Sequence, residues 1–220
     1  MVFRIKICGV TSVSDALAAV EAGADAIGLN FYSGSPRCIG VQEAKLIADA
    51  VSAEVDRVGV FVNAPADEIQ QICQSAGLRA IQLHGDEPPE LLKSLGHGWA
   101  VIRARRLGNR GLQAICDDIA NCCQSAGFGP DAILIDAAMS GAYGGTGRTV
   151  DWSLLLDYQQ WLGDVPLVLA GGLTPDNVAE AIQTVRPHAV DVSSGVESSP
   201  GIKDAIKMRD FVIAAREAFS

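Results

Sequence analysis

Basic charge is scarce in this chain. Lys and Arg together number 17 against 26 Asp and Glu, a formal net charge of −9 at neutral pH. Broad nucleic-acid binding normally needs a basic face, so that class of function is not expected. An anionic small molecule stays open, because a local site can be positive on an acidic protein. Long apolar runs are missing too: no stretch of about 18 apolar residues is present to span a bilayer. The opening MVFRIKICGV is too short and too alternating for a signal peptide, and it carries charge inside its apolar part. The six cysteines are Cys8, Cys38, Cys73, Cys116, Cys122 and Cys123. They include no Cys-x-x-Cys pair and no histidine at metal spacing, which argues against zinc. A cytoplasmic protein with reduced thiols and no bound metal is the expectation. No linker or low-complexity tract divides the chain, so residues 1–220 are expected to form one domain.

What is present is ordinary globular material, 49% hydrophobic and 20% charged. Short strand-like runs alternate with helix-length amphipathic segments from end to end. The runs are 3–8, 26–30, 57–62, 80–84, 99–104, 132–136, 166–170 and 189–193. Between them lie segments such as SVSDALAAVEAG and SPGIKDAIKMRDFVIAAREAFS, with apolar residues at helical spacing. Helix openings are expected at sites such as Thr174-Pro175-Asp176 and a closure at Gly23. Eight βα units in a row predict an α/β fold, a single (β/α)8 TIM barrel, with a doubly wound open sheet as the alternative.

Strand alternation then predicts which side chains face the lumen. In the first run, Phe3, Ile5 and Ile7 suit packing against helices, which sends Arg4, Lys6 and Cys8 inward. By the same rule Gln82 and His84, Asp136, and Asp191 and Ser193 point in. Polar groups thus recur at strand C-termini, where a purely structural barrel would place Val, Ile or Leu. That face carries the chemistry of this fold.

The seventh run leads into Ala170-Gly171-Gly172-Leu173-Thr174, and the eighth into Ser193-Ser194-Gly195. Glycines allow close backbone approach, and a helix start behind them directs N–H groups at an anion. Either turn alone could be a plain tight βα connection. Together, after strands 7 and 8, they predict a phosphate site at Gly171, Gly172, Leu173, Ser193, Ser194 and Gly195.

Cys8 reads either as a small buried hydrophobe or as a base whose thiol pKa is lowered by Lys6. The cysteines in helical segments, Cys73, Cys116, Cys122 and Cys123, fit the first description. Asp136 precedes a Gly-rich segment, 137–150, that could close over substrate and favour its protonated form. Capping that loop or pairing with an arginine are its plainer roles. Arg37 is either a solvated loop residue or a fork for a substrate carboxylate. Asp191 either pairs with Lys6 or touches substrate, and His84 is a hydrogen-bonded lumen residue or a ligand.

Taken together, these motifs resemble those of phosphoribosylanthranilate isomerases. Lys6-Ile7-Cys8-Gly9 looks like the family's opening signature. FYSGSPRCI (31–39), VGVFVN (58–63), QLHGDE (82–87), LIDA (134–137), GGTGRTVDW (144–152), LAGGLTPDNV (169–178) and VDVSSGVESSPGIKD (190–204) resemble later blocks, in family order. Val150 departs from the phenylalanine common before Asp-Trp, and roughly residues 103–130 carry no block. The resemblance implies a cofactor-free and metal-free Amadori rearrangement of N-(5'-phosphoribosyl)anthranilate in tryptophan biosynthesis. It implies Cys8 as general base, Asp136 as general acid, Arg37 on the anthranilate carboxylate, and the strand 7 and 8 loops on the phosphate. His84 and Asp191 join the expected substrate contacts. The expected partner is this small molecule alone, with neither nucleic acid nor membrane, and the expected state is a monomer with a homodimer as the alternative. A barrel synthase would want a lysine–glutamate acid–base set, a histidine-pathway isomerase an aspartate in place of Cys8, and a phosphate sensor would bind without turnover.

Overall fold

The structure, a computed structural model, describes residues 3–107, 110–136 and 152–220. Strands β1 (Ile5–Cys8), β2 (Ala26–Asn30), β3 (Asp56–Phe61), β4 (Ala80–Leu83), β5 (Ala100–Arg106), β6 (Ala132–Asp136), β7 (Leu167–Ala170) and β8 (Ala189–Val192) close into a barrel in sequence order. Every neighbouring pair is parallel, and β8 returns to β1 with Lys6 level with Asp191. The open sheet is therefore excluded. Around the barrel run α1 (Val13–Ala22), α2 (Val41–Ala50), α3 (Ala66–Ala76), α4 (Leu91–Leu95), α5 (Leu112–Ala126), α6 (Tyr158–Leu162), α7 (Val178–Val185) and α8 (Ala205–Ala218). Among the described residues no helix is long and apolar enough to cross a membrane.

The strand alternation divides the apolar residues into two cores. Ile5, Ile7, Ile27, Leu29, Ile81, Leu83, Ile133, Ile135, Leu167, Leu169, Val190 and Val192 pack outward against the helices. A second cluster fills the lower lumen with Ala26, Val58, Ala80, Ile102, Ala132, Leu134, Val168 and Ala189. Phe3 belongs to this lumen cluster, not to the outer one as its parity with Ile5 predicts. The alternation fails there because Arg4 sits in a bend ahead of β1. Arg4 is correspondingly exposed rather than inward: its N–H donates to Asp25 Oδ2 at 3.0 Å and its Nη1 to the Phe219 carbonyl at 3.4 Å.

Helix ends follow local chemistry. Ser12 Oγ accepts from Asp15 N at 3.1 Å to open α1, and Gly23, at φ 95°, closes it. The last helix starts later than its periodicity suggests. Residues Glu197–Ser199 (β9) and Ile202–Lys203 (β10) form an antiparallel hairpin instead. The turn needs Gly201 at φ 84°, and Asp204 then caps α8 through Ile206 N and Lys207 N. Likewise Thr174-Pro175-Asp176 lies in a turn, and α7 begins only at Val178. Of the helical cysteines, Cys73 and Cys122 are buried and Cys116 is half-buried, whereas Cys123 is exposed and so is not the buried hydrophobe expected.

The outer face of β5 departs from the apolar rule. Arg103, with no exposed surface, and Arg105 share the carboxylate of Asp118 on α5 in four bonds of 3.0–3.1 Å. Arg103 Nη2 also donates to the Glu87 carbonyl at 2.8 Å, and Arg105 Nη1 to the Gly85 carbonyl at 3.3 Å. These bonds fix the loop that follows β4. Asp118→Ala leaves the Arg103 charge buried without its carboxylate and is expected to destabilise the protein by about 3 kcal/mol. Urea denaturation measures it, and a loss below about 1 kcal/mol, typical of a surface ion pair, would show that the cluster carries little stability.

Candidate active site

The cleft opens at the C-terminal ends of the strands, with about 710 Å³ of space including its open mouth. Its floor is the Lys6–Asp191 pair, with Nζ 2.9 Å from Oδ1 and the lysine fully buried. Burial works against the ammonium, yet Asp191 and Cys8 outweigh it and raise the Lys6 pKa. Gly28 makes room for this arrangement: a Cβ there would stand 2.7 Å from Cys8 Sγ and 3.0 Å from Lys6 Nζ. Cys8, 8% exposed, lies directly above.

The expected net lowering of the Cys8 pKa is not found. Burial pushes the thiol up, and this outweighs Lys6, whose field is offset by the neighbouring Asp191 carboxylate.

Asp136 ends β6, level with Arg106 on β5 and Ala170 on β7. It is 6% exposed, and His84 Nε2 lies 3.4 Å from its Oδ2. The other imidazole nitrogen, Nδ1, is 2.7 Å from Gln82 Nε2. With the amide nitrogen donating, neutral His84 carries its proton on Nε2 and presents it to Asp136. His84 is thus both hydrogen-bonded in the lumen and part of the cleft wall. The glycine-rich segment expected to cover Asp136, 137–150, lies outside the described residues.

The two glycine turns meet at the cleft's edge. Gly171 and Gly172 adopt φ 87° and 67°, closed to most side chains, which carries the chain sharply out of β7. A Cβ on Gly195 would stand 1.9 Å from the Leu173 carbonyl, so only glycine lets the two turns touch. Behind Ser193 the chain makes one helical turn, Ser194–Val196. Asn177 braces the first turn, accepting from Thr174 N at 2.8 Å and donating to the Gly172 carbonyl at 3.0 Å.

Arg37 reaches the same cleft but is not the solvated loop residue of its plainer description. Its Nε and Nη2 each donate at 2.7 Å to the two oxygens of Glu197. These bonds raise the Arg37 pKa against the opposing effect of burial. For Glu197, burial opposes ionisation, yet Arg37 and Lys203 outweigh it and hold its carboxyl below the ordinary carboxylate value.

All the residues singled out from the sequence, Cys8, Arg37, His84, Asp136, Asp191, Gly171, Gly172, Leu173, Ser193, Ser194 and Gly195, line this one cleft. Asn30, Tyr32, Ser35, Val60 and Val62 line it too and were not foreseen. Asn30 shares the inward parity of Ala26 and Gly28, so alternation applied to β2 finds it. Glu197 and Lys203 carry no such signal, because their contacts depend on the β9–β10 hairpin. Among the described residues no cluster of three or more His, Cys, Asp or Glu could hold a metal ion.

The sequence model of the family described as N-(5'phosphoribosyl)anthranilate (PRA) isomerase matches residues 5–214. The N-(5'-phosphoribosyl)anthranilate isomerase of Myxococcus xanthus is 46% identical over 217 residues, covering 98% of this chain and 97% of that protein. The crystal structure of phosphoribosyl anthranilate isomerase from Thermotoga maritima superposes with a TM-score of 0.84 at 42% identity, covering 98% of this chain and 99% of the other. A phosphoribosyl anthranilate isomerase solved in complex with reduced 1-(o-carboxyphenylamino)-1-deoxyribulose 5-phosphate gives 0.81 at 40% identity, covering 98% and 99%. With its motifs in order along a closed barrel and a match of this extent, the chain belongs to the N-(5'-phosphoribosyl)anthranilate isomerase family.

Proposed function

We propose that the cleft catalyses the Amadori rearrangement of N-(5'-phosphoribosyl)anthranilate to 1-(o-carboxyphenylamino)-1-deoxyribulose 5-phosphate, with Asp136 as general acid and Cys8 as general base. The observation that carries this is the placement of both groups on one cleft, on β1 and β6, with the two glycine turns between them on β7 and β8. The substrate's phosphate fits at Gly171–Leu173 and Ser193–Gly195, where backbone N–H groups are free to approach an anion. Its carboxylate fits at Arg37. Such an arrangement also suits the reduced product analogue held by the structural relative.

In this scheme the proton of Asp136 goes to the furanose ring oxygen. The C1′–O bond breaks as the anilino nitrogen lone pair forms a C1′=N iminium. The Cys8 thiolate takes the proton from C2′, and the C–H electrons neutralise the iminium to give an enolamine. Return of a proton to C1′, with loss of the proton on the C2′ hydroxyl, yields the ketose. Burial opposes ionisation of Cys8, so its thiol proton must first pass to solvent, and the positive charge of the iminium favours the thiolate that remains. Lys6 acts from below in the same direction. Asp191 keeps Lys6 in place and borders the substrate, and His84 orients Asp136. The chain is taken as one catalytic domain working as a cytoplasmic monomer, with a homodimer as the alternative.

The direct test follows the loss of anthranilate-type fluorescence from freshly prepared phosphoribosylanthranilate. Turnover above the uncatalysed rate is expected. Cys8→Ala and Asp136→Asn should each lower kcat by about 10²–10⁴, the usual contribution of a positioned acid or base. Near wild-type kcat in either variant removes that residue from the scheme. A second measurement addresses the resting thiol. Only the thiolate alkylates, and the Cys8 pKa lies above the ordinary 9.0. The rate of iodoacetamide labelling at Cys8, followed by mass spectrometry of its peptide, should therefore keep rising up to that pH. A plateau below about pH 8 would show a lowered pKa instead.

A further inference from the structure

The substrate has anionic groups at both ends, and the structure joins the two places that would receive them through one buried carboxylate. Glu197, 4% exposed at its side chain, occupies the first strand of the β9–β10 hairpin just beyond the phosphate turn. Its two oxygens take the Nε and Nη2 donors of Arg37, both at 2.7 Å. Lys203, with a fully buried side chain, donates to Glu197 Oε1 at 2.9 Å and to the Ser193 carbonyl at 3.1 Å. The Glu197 carbonyl is held by Lys207 Nζ at 2.8 Å. Arg37 itself crosses tightly over the end of β1, where a Cβ on Gly9 would stand 2.4 Å from its Cδ.

A guanidinium has five N–H donors, and the fork to Glu197 uses two of them. Among the described residues Nη1 has no bond to protein, while Arg37 lines the cleft. The fork therefore fixes the plane of the group and leaves its far edge turned to the ligand. A loose arginine would lose its rotamer freedom on binding, and this one has already lost it. A lone carboxylate behind Arg37 would also repel an incoming one. Lys203 removes that difficulty, because Arg37 and Lys203 together bring two positive charges against the single negative charge of Glu197.

We propose that Glu197, neutralised by Lys203, is a positioning residue that presets Arg37 for the carboxylate of the substrate and ties that subsite to the phosphate turn at Ser193. The proposal rests on the assignment of Arg37 to the substrate carboxylate made above. It differs from a merely structural role for Glu197, which would weaken binding regardless of the ligand's carboxylate.

The test is a cycle of two proteins against two ligands, read by calorimetric titration. The ligands are reduced 1-(o-carboxyphenylamino)-1-deoxyribulose 5-phosphate and its counterpart lacking the carboxyl group. Wild-type protein should prefer the carboxylated ligand. Glu197→Gln, which keeps the shape and loses the charge, should reduce that preference by about tenfold while holding the other ligand nearly as well. Glu197→Asp keeps the charge and guards against misfolding; it should show the same pattern at smaller amplitude. Lys203→Met should add a loss common to both ligands, because it also releases the Ser193 carbonyl. Equal weakening of both ligands by the Glu197 substitutions, or an undiminished preference, overturns the proposal alone. A wild-type protein indifferent to the ligand's carboxyl overturns the Arg37 assignment, and the proposal with it.

Discussion

The ion pair between Lys6 and Asp191 is the constraint around which the upper barrel is arranged. It sits where β8 closes onto β1, at matched register, with its lysine wholly withdrawn from water. A buried pair of this kind is weak evidence for net stability, since desolvation offsets most of the attraction, but breaking it leaves a lone charge in the lumen. Its effect here is to hold a polar floor beneath a cleft whose lower neighbours are alanine, valine and leucine. The small residues follow from it: Gly28 leaves the space that the Lys6 head and the Cys8 thiol occupy. Cys8 in turn lies between opposing influences: dry surroundings and the Asp191 carboxylate oppose a thiolate, while the Lys6 and Lys203 cations favour one.

The same economy of charge recurs at the rim. Arg37 is held by Glu197 and Glu197 by Lys203, so the guanidinium at the cleft wall is oriented by protein contacts alone. The outer face of β5 repeats the device away from the cleft, with Arg103 and Arg105 on Asp118. There the held object is backbone, the Gly85 and Glu87 carbonyls in the loop next to His84. Charged side chains in this barrel thus set the position of loops more than they decorate its surface.

Much of this was legible from the chain of letters. Strand alternation placed Lys6, Cys8, Gln82, Asp136 and Asp191 correctly, because a barrel strand buried on both faces must sort its side chains by polarity. The glycine turns were legible because no other residue tolerates their backbone or their mutual approach. What failed was whatever depends on a local break in regularity. Phe3 and Arg4 were assigned by parity across a bend that parity does not detect. The helical pattern of the final segment ran unbroken over a hairpin, and with the hairpin went Glu197 and Lys203. The sign of the Cys8 shift was missed because desolvation has no signature in a neighbouring lysine. Arg106 lies outside the run 99–104 because β5 continues two residues past Ala104.

Phe3 and the small residues above it close the lower end of the lumen with apolar packing. Among the described residues the cleft is therefore closed below, and nothing can be threaded through the barrel. Product must leave by the path along which substrate arrived, and while it lingers the next molecule has no other door.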